Sequence, residues 1–250
     1  MKDGTKRSRY LTAEEHNLPE MFLVDKPKGI SSFDAIRHLR RVYGNAKMGH
    51  GGTLDPLASG LMIIGVGAGT KKLQHYLGLP KTYEVKVLFG KRTTTGDLEG
   101  EVVEEMNVES LDMEKVREAV DSLVGILNLP VPIFSAVKQD GVALYKKARK
   151  QQEIKVPMRD MQIYGATITS EPKNYGGSTS IVLADEPLSV WITLDVASGV
   201  YVRSVVEELG RRIGIPATVQ ELRRTKIGEY LVENAEVIEY KRISRFDKKD

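Results

Sequence analysis

Residues 49–60 read GHGGTLDPLASG, a glycine-rich segment that holds one imidazole, His50, and one carboxylate, Asp55. Its glycines permit backbone conformations that other residues resist, and they let a ligand approach the main chain closely. Asp55 is the only acid between Asp34 and Glu84. A lone carboxylate in such a loop can act as a nucleophile, a general base or an electrostatic stabiliser. The competing interpretation is a structural Asp–Pro turn, which the spacing alone favours.

The composition around this segment is that of an ordinary globular chain. The chain has 250 residues, of which 41% are hydrophobic and 28% are charged, so disordered, collagen-like and coiled-coil classes are excluded. It has no cysteine, which excludes disulfides, zinc–thiolate sites, iron–sulfur clusters and cysteine nucleophiles. There is no apolar run long enough for a transmembrane helix and no signal-peptide core, so we expect a cytoplasmic protein.

Charge and histidine spacing bear on the class of ligand. The formal net charge is only +3, but basic residues cluster in 37–50 and again in 203–226. Such clusters suit a phosphate backbone, although a solvated helix face explains them equally well. The four histidines have no metal-ligand spacing, so no metal site is predicted. The glycine-rich segment 65–71 fails the phosphate-loop and dinucleotide patterns and is interpreted as a turn between a strand and a helix.

Hydrophobic periodicity predicts an α+β fold. Residues 82–89 alternate as a half-buried strand, and strands are also predicted at 161–169 and 189–196. Helical spacing predicts helices over 112–124 and 202–213. Strands follow one another mostly without crossover helices, which favours a mixed, largely antiparallel central sheet flanked by helices.

Further elements and the domain limits follow from the same patterns. Ser31 or Ser32 is expected to cap a helix whose inward face includes Phe33 and Val42, and a basic helix is predicted over 142–151. Residues 1–20 are interpreted as a flexible tail, 21–240 as one domain and 241–250 as a second tail.

Several motifs in a fixed order carry a resemblance to a known family. Segment 49–60 fits every fixed position of G-H-x-G-x-L-D-P-x-A-x-G, and the chain resembles the TruB-type tRNA pseudouridine synthases that carry this motif. Other blocks resemble the family's in the same order along residues 22–240; these are 23–32, 81–83, 90–100, 132–149, 198–204 and 222–224. Agreement of several ordered motifs is far more specific than any one of them.

The resemblance implies a fold and an activity. It implies the pseudouridine synthase fold and isomerisation of uridine to pseudouridine at position 55 of tRNA, in the T-loop, after the base has been flipped out of its stack. No cofactor is implied. The expected partner is the T-stem–loop of tRNA, with no membrane and no obligate protein partner.

The resemblance also implies residue roles. Asp55 is the catalytic carboxylate, as a nucleophile or through proton abstraction from the sugar, two mechanisms that the sequence leaves open. Tyr83 would stack on the base and Arg203 would pair with Asp55, although strand spacing alone favours a core role for Tyr83. The implied substrate-binding residues are His50, Tyr83, Arg203, Tyr201, Leu222 and Lys26. The candidates for contacts with RNA phosphate are Arg37, Arg40, Arg41, Lys138, Arg149, Arg223 and Arg224.

The chain departs from the family pattern at two places in these motifs. Thr94 stands where many members have Asp, and Val200 replaces the usual Thr beside Tyr201. The sequence is also expected to lack a full C-terminal RNA-binding module of the PUA type. Two other functions remain open: an RNA-binding protein without catalysis, and an isomerase acting on another stem–loop RNA.

Overall fold

The computed structural model describes residues 18–139, 141–150, 152, 154–170, 180–182 and 188–238. These residues form two compact units. Unit 1 consists of the described residues up to Leu79 and from Arg224 onward, and unit 2 consists of those from Pro80 to Arg223.

Five α-helices and sixteen strands are present in the described residues. The helices are α1 Ser32–Tyr43, α2 Leu73–Gly78, α3 Met113–Asp121, α4 Leu144–Arg149 and α5 Val202–Ile213, with 3₁₀ turns at Gly67–Lys72 and Val232–Asn234. The strands are β1 Met21–Lys26, β2 Met48–His50, β3 Ser59–Val66, β4 Lys81–Phe89, β5 Lys91–Thr93, β6 Val102–Glu105, β7 Ser110–Asp112, β8 Gly125–Pro130, β9 Lys138–Gln139, β10 Val142–Ala143, β11 Met158–Ser170, β12 Ser180–Val182, β13 Ser189–Val196, β14 Ala217–Ile227, β15 Tyr230–Leu231 and β16 Glu236–Val237.

Unit 1 is built around strand β3. Strand β1 pairs antiparallel with β3 along its whole length, from Met21 opposite Gly65 to Lys26 opposite Gly60. Strand β2 also pairs antiparallel with β3, and β16 pairs in parallel with β1. Leu61 and Ile63 on β3 pack with Ile227 in a core that is closed to solvent. Burial of this apolar surface holds β3 in place.

Unit 2 contains four strands joined by three successive antiparallel pairings. The strand order is β4-β13-β11-β8, and Tyr83 lies opposite Leu194 in the register of β4 and β13. Val85, Val87 and Ile192 are fully buried. Helix α3 packs on β11 and on α5, and α5 also contacts β8. The helices therefore cover the sheet of unit 2, as layered α+β packing requires.

Local sequence explains where the two longest helices begin or end. Ser31 caps α1: its hydroxyl accepts a hydrogen bond from the Asp34 amide, and the Asp34 carboxylate accepts one from the Ser31 amide. This reciprocal arrangement is a capping box. Helix α5 ends at Gly214, whose φ of 81° is readily adopted only by glycine. Each of these helices has twelve residues, and among the described residues none has the length and apolar character to cross a bilayer.

The structure confirms the predicted fold class and several elements. Helix α5 and strand β13 have the bounds that periodicity predicts, and β4 differs from its prediction by one residue at its start. The glycine-rich segment 65–71 is a strand-to-helix turn, as predicted. The predicted tail reaches residue 20, but the Glu20 carbonyl accepts a hydrogen bond from the Val66 amide at 2.9 Å. The end of the predicted tail is therefore attached to β3. Most of the first predicted tail and all of the second lie outside the described residues, in 1–17 and 239–250.

Other predictions were wrong. Phe33 and Val42 are 56% and 58% exposed, because the apolar residues that α1 buries are Ala35, Ile36 and Leu39, which form a narrower face. The helix predicted over 142–151 is reduced to α4, with β10 before it. Strand β14, which holds Leu222, Arg223 and Arg224, was not predicted.

Candidate active site

The segment with the lone carboxylate forms the connection between β2 and β3 in unit 1. Leu54 and Leu57 are almost completely buried, whereas Asp55 between them is half-buried. The main chain turns here, and the Asp55 carbonyl accepts a hydrogen bond from the Ala58 amide at 3.1 Å. The Asp–Pro turn therefore exists, and it holds the carboxylate between two anchored leucines. We call residues 51–58 the Asp55 loop.

Main-chain hydrogen bonds fix both ends of the Asp55 loop. The Gly51 amide donates to the Ile63 carbonyl at 2.8 Å, and the Gly29 amide donates to the Pro56 carbonyl at 2.7 Å. A Cβ atom on Gly51 would lie 2.9 Å from the Cβ of Tyr76. Because that distance is too short for two carbon atoms that are not bonded, glycine is required at position 51.

Ser32 holds the centre of the loop. Its hydroxyl donates to the Leu54 carbonyl at 2.9 Å and accepts from the Leu54 amide at 2.8 Å. Both polar groups of Leu54 are thereby satisfied inside the protein, where leaving them unpaired would be costly. The sequence indicated Ser32 as a possible helix cap and as part of the block 23–32, but it did not predict the contact with Leu54, because that contact spans 22 residues and has no local signal.

We expect Ser32→Ala to lower the free energy of unfolding by about 1–3 kcal/mol, since it leaves the two buried main-chain groups of Leu54 without partners. Urea unfolding measures this loss. The matched control is Ser110→Ala at an exposed strand position, which should stay within about 0.5 kcal/mol of the parent. Equal stability of the two variants would contradict the role assigned to Ser32.

Lys26 supports the neighbouring turn. It is completely buried, and its Nζ donates to the carbonyls of Pro27 at 2.9 Å and Ile30 at 2.8 Å. These bonds shape the turn that presents the Gly29 amide to Pro56. The role predicted for Lys26 in substrate binding stays a prediction.

Arg224 contacts the same loop from β14. It is 1% exposed. Its Nε donates to the Leu61 carbonyl at 2.8 Å, its Nη1 to the Thr53 carbonyl at 3.4 Å and its Nη2 to the Gly52 carbonyl at 3.2 Å. A contact with RNA phosphate requires a guanidinium that solvent can reach. The prediction of such a contact for Arg224 was therefore wrong.

His50 ends β2, next to the loop. It is half-buried, and among the described residues its Nδ1 has no hydrogen-bond partner although it is closed to solvent. Burial lowers the pKa of His50, and the positive charge of Arg224 lowers it further. The ring is therefore neutral at pH 7. A neutral imidazole offers a flat surface and one free acceptor or donor to a ligand.

Arg203 lies on α5 in unit 2 and is buried. Its Nη1 donates to the Thr95 carbonyl at 2.7 Å and its Nη2 to the Phe134 carbonyl at 3.2 Å, and Nη1 lies 3.6 Å from a carboxylate oxygen of Asp97. These contacts fix the guanidinium within unit 2. The predicted pairing of Arg203 with Asp55 joins residues of different units and stays a prediction.

A cavity of about 380 Å³ in unit 2 adjoins Arg203 and is lined by Thr94, Thr95 and Glu207, among others. Burial raises the pKa of Glu207, while Arg92 and Arg203 act in the opposite direction. The sequence did not single out Glu207, because one acid on an amphipathic helix carries no distinguishing signal.

The other predicted substrate-binding residues also lie in unit 2. Tyr83 is nearly buried on the apolar face of β4, where it is flanked by Val85. Leu222 is buried on β14. Tyr201 is the N-cap residue of α5 and is half-buried. The burial of Tyr83 is compatible with a role in the core and with a contact to a ligand.

The remaining phosphate-contact candidates are exposed or half-buried. On α1, Arg37 and Arg41 are exposed, and Arg40 donates to the Met48 carbonyl at 3.3 Å. Arg37 pairs with Asp34 and its guanidinium lies 5.7 Å from the centre of the Phe33 ring. In unit 2, Lys138 and Arg149 are exposed and Arg223 is half-buried.

A comparison with protein families matches residues 40–202 to the TruB family pseudouridylate synthase N-terminal domain. A tRNA pseudouridine synthase B from Thermobifida fusca is 33% identical over 221 residues, which cover 87% of this chain and 72% of the relative. One from Colwellia psychrerythraea is 38% identical over 213 residues, covering 85% of this chain and 62% of the relative.

Solved structures share the fold. A Cbf5-Nop10-Gar1 complex gives a TM-score of 0.64 at 21% identity, covering 93% of this chain and 58% of the matched chain. An H/ACA RNP bound to a substrate RNA containing 2′-deoxyuridine gives a TM-score of 0.61 at 20% identity, covering 91% and 53%.

The fold and the loop bearing Asp55, together with these relatives, define the class of protein: it is a pseudouridine synthase, an isomerase. Within that class, the chain belongs to the TruB family.

Proposed function

We propose that this enzyme isomerises the uridine at position 55 of tRNA, in the T-loop, with Asp55 as the essential carboxylate. The observation that carries this proposal is the Asp55 loop, which is fixed by bonds from Gly29, Ser32 and Arg224 while Asp55 stays half-exposed. The names of the relatives, tRNA pseudouridine synthase B, support tRNA as the substrate.

The reaction breaks the bond between C1′ of the ribose and N1 of uracil, turns the base, and forms a bond between C1′ and C5. The proton that C5 loses is balanced by the one that N1 gains, so the product is an isomer and no redox cofactor is needed. Asp55 either attacks as a nucleophile or abstracts a proton from the sugar. In both routes the base must first leave its stack, at a cost of a few kcal/mol.

The remaining residues take binding roles in this proposal. Tyr83 stacks on the flipped base, and Leu222 and Tyr201 line the uracil site. His50, neutral at pH 7, contacts the base or fills the space that it leaves. Arg203 keeps Asp55 ionised by its positive charge. Lys26 acts through the turn that it stabilises.

The proposed contacts with RNA phosphate are electrostatic. They are made by Arg37, Arg40, Arg41, Lys138, Arg149 and Arg223. Contacts of this kind position the RNA without reading its sequence, and they weaken as the salt concentration rises.

We expect Tyr83→Ala to reduce the isomerisation rate by about 10- to 100-fold, because a base–aromatic stacking contact contributes about 1–3 kcal/mol. The conservative control, Tyr83→Phe, retains the ring and should retain most of the rate. Single-turnover kinetics on a tRNA transcript measure both variants. If Tyr83→Phe loses as much as Tyr83→Ala, the hydroxyl rather than the stacked ring matters, and the assigned role is wrong.

The deciding experiment is incubation of the enzyme with an unmodified tRNA transcript, followed by mapping of pseudouridine at single-nucleotide resolution. The proposal expects one product, at position 55. A matched transcript with cytidine at that position should remain unmodified. If pseudouridine forms only in another stem–loop RNA, that RNA rather than the tRNA T-loop is the substrate. If the transcript binds and no pseudouridine forms, the protein is an RNA-binding protein without this activity.

A further inference from the structure

Arg224 is a buried cation whose hydrogen-bond acceptors, among the described residues, are all main-chain carbonyls. Burying a guanidinium away from water is costly unless its donors are satisfied. Carbonyl oxygens satisfy donors but do not neutralise the charge. The stability of the core therefore does not explain why an arginine occupies this position.

The three carbonyls lie on both sides of Asp55. Gly52 and Thr53 precede it in the Asp55 loop, outside any regular strand, and Leu61 follows it in β3. Loop carbonyls that face the interior have no strand partner, and a planar fork of donors can satisfy several of them at once. One guanidinium thus fixes the start of the Asp55 loop relative to the strand into which the loop runs.

The main chain of Arg224 makes a second contact with the same segment. Gly60 has a φ of 108°, and a Cβ atom at this position would lie 2.7 Å from the Arg224 nitrogen. The backbone of β14 therefore passes directly against the end of the connection that contains Asp55. Arg224 touches this connection through both its backbone and its side chain.

We propose that Arg224 is a positioning residue for the isomerisation, holding the Asp55 loop in its reactive geometry through the carbonyls of Gly52, Thr53 and Leu61. This inference rests on the proposed role of Asp55. It replaces the phosphate contact that the sequence predicted for Arg224. The variant Arg224→Lys keeps the positive charge but presents a single ammonium group, which cannot reproduce the planar fork of donors of a guanidinium.

The test compares Arg224→Lys and Arg224→Met with Lys226→Met. Lys226 lies on the same strand and is exposed, so its variant removes one positive charge without touching the loop. We expect the single-turnover rate at saturating enzyme to fall about 30-fold in Arg224→Lys and more in Arg224→Met, because small misplacements of a catalytic group can cost about 100-fold. The affinity for the tRNA transcript should stay within about threefold in both, and Lys226→Met should keep the parental rate.

Two measurements separate positioning from general loss of structure. Amide hydrogen exchange in Arg224→Lys should accelerate within residues 51–58 and stay unchanged in β13. In Arg224→Met, NMR titration should give a higher pKa for His50, because a nearby positive charge has been removed. If Arg224→Met does not fold, the rate, affinity and exchange of Arg224→Lys decide the question.

The outcomes distinguish this inference from the proposed function. A parental saturating rate in Arg224→Lys, or reduced RNA affinity with a smaller salt slope, would overturn the positioning role. So would unchanged exchange in the Asp55 loop. Turnover that survives replacement of Asp55 would instead overturn the proposed function, and the exchange data would still show whether Arg224 fixes the loop.

Discussion

Asp55→Asn is expected to abolish isomerisation, with a loss of at least about 10⁴-fold in the single-turnover rate. That factor corresponds to about 5.4 kcal/mol of transition-state stabilisation. The amide has the size of the carboxylate but cannot act as a nucleophile or general base at neutral pH. The loop should keep its shape, because the bonds that fix it are made to main-chain groups of residues 51–56, which the substitution leaves in place.

RNA binding separates the loss of chemistry from the loss of fold in this variant. The affinity of Asp55→Asn for the tRNA transcript should remain within a few fold of the parent. The matched control is Asp121→Asn, an exposed aspartate at the end of α3 in unit 2, which should retain the parental rate. Turnover of Asp55→Asn within tenfold of the parent would refute Asp55 as the catalytic group.

The parts of the fold that sequence predicted are those with strong local patterns. Helix α5 has an apolar face at regular helical spacing and a glycine stop at Gly214, so both of its ends are marked in the sequence. Strand β4 alternates between buried and less buried residues over most of its length. By contrast, β14 carries Glu221, Arg223 and Arg224 among its apolar residues, and these charges obscure its alternation.

The residues of the candidate site also differ in how well the sequence predicts them. Asp55 and His50 lie in a motif dense enough to be identified from sequence. The residues that fix the loop were missed or misassigned, because their contacts span long distances along the chain. Ser32 is 22 residues from Leu54 and Arg224 is 163 residues from Leu61. An arginine in a basic cluster resembles a phosphate ligand in sequence, and only its burial shows that its donors are used inside the protein.

Gly60→Ala is expected to have the largest effect on stability, lowering the free energy of unfolding by more than about 4 kcal/mol. Two independent strains add at this position. The φ of 108° is one that side chains with a Cβ rarely adopt. The new methyl would also lie 2.7 Å from the Arg224 nitrogen and 2.9 Å from its carbonyl carbon, and closer still to its carbonyl oxygen.

The methyl of Gly60→Ala meets main-chain atoms, so no rotamer change can relieve the overlap. Either β14 moves away from β3, which breaks the contact of Arg224 with the Asp55 loop, or unit 1 fails to fold. The control is Gly78→Ala at the end of α2, where a Cβ would meet nothing within 4 Å. It should be neutral or raise stability by up to about 1 kcal/mol, as alanine does in helices. Because both variants add one methyl group, similar urea midpoints for the two would show that β14 is not confined against Gly60.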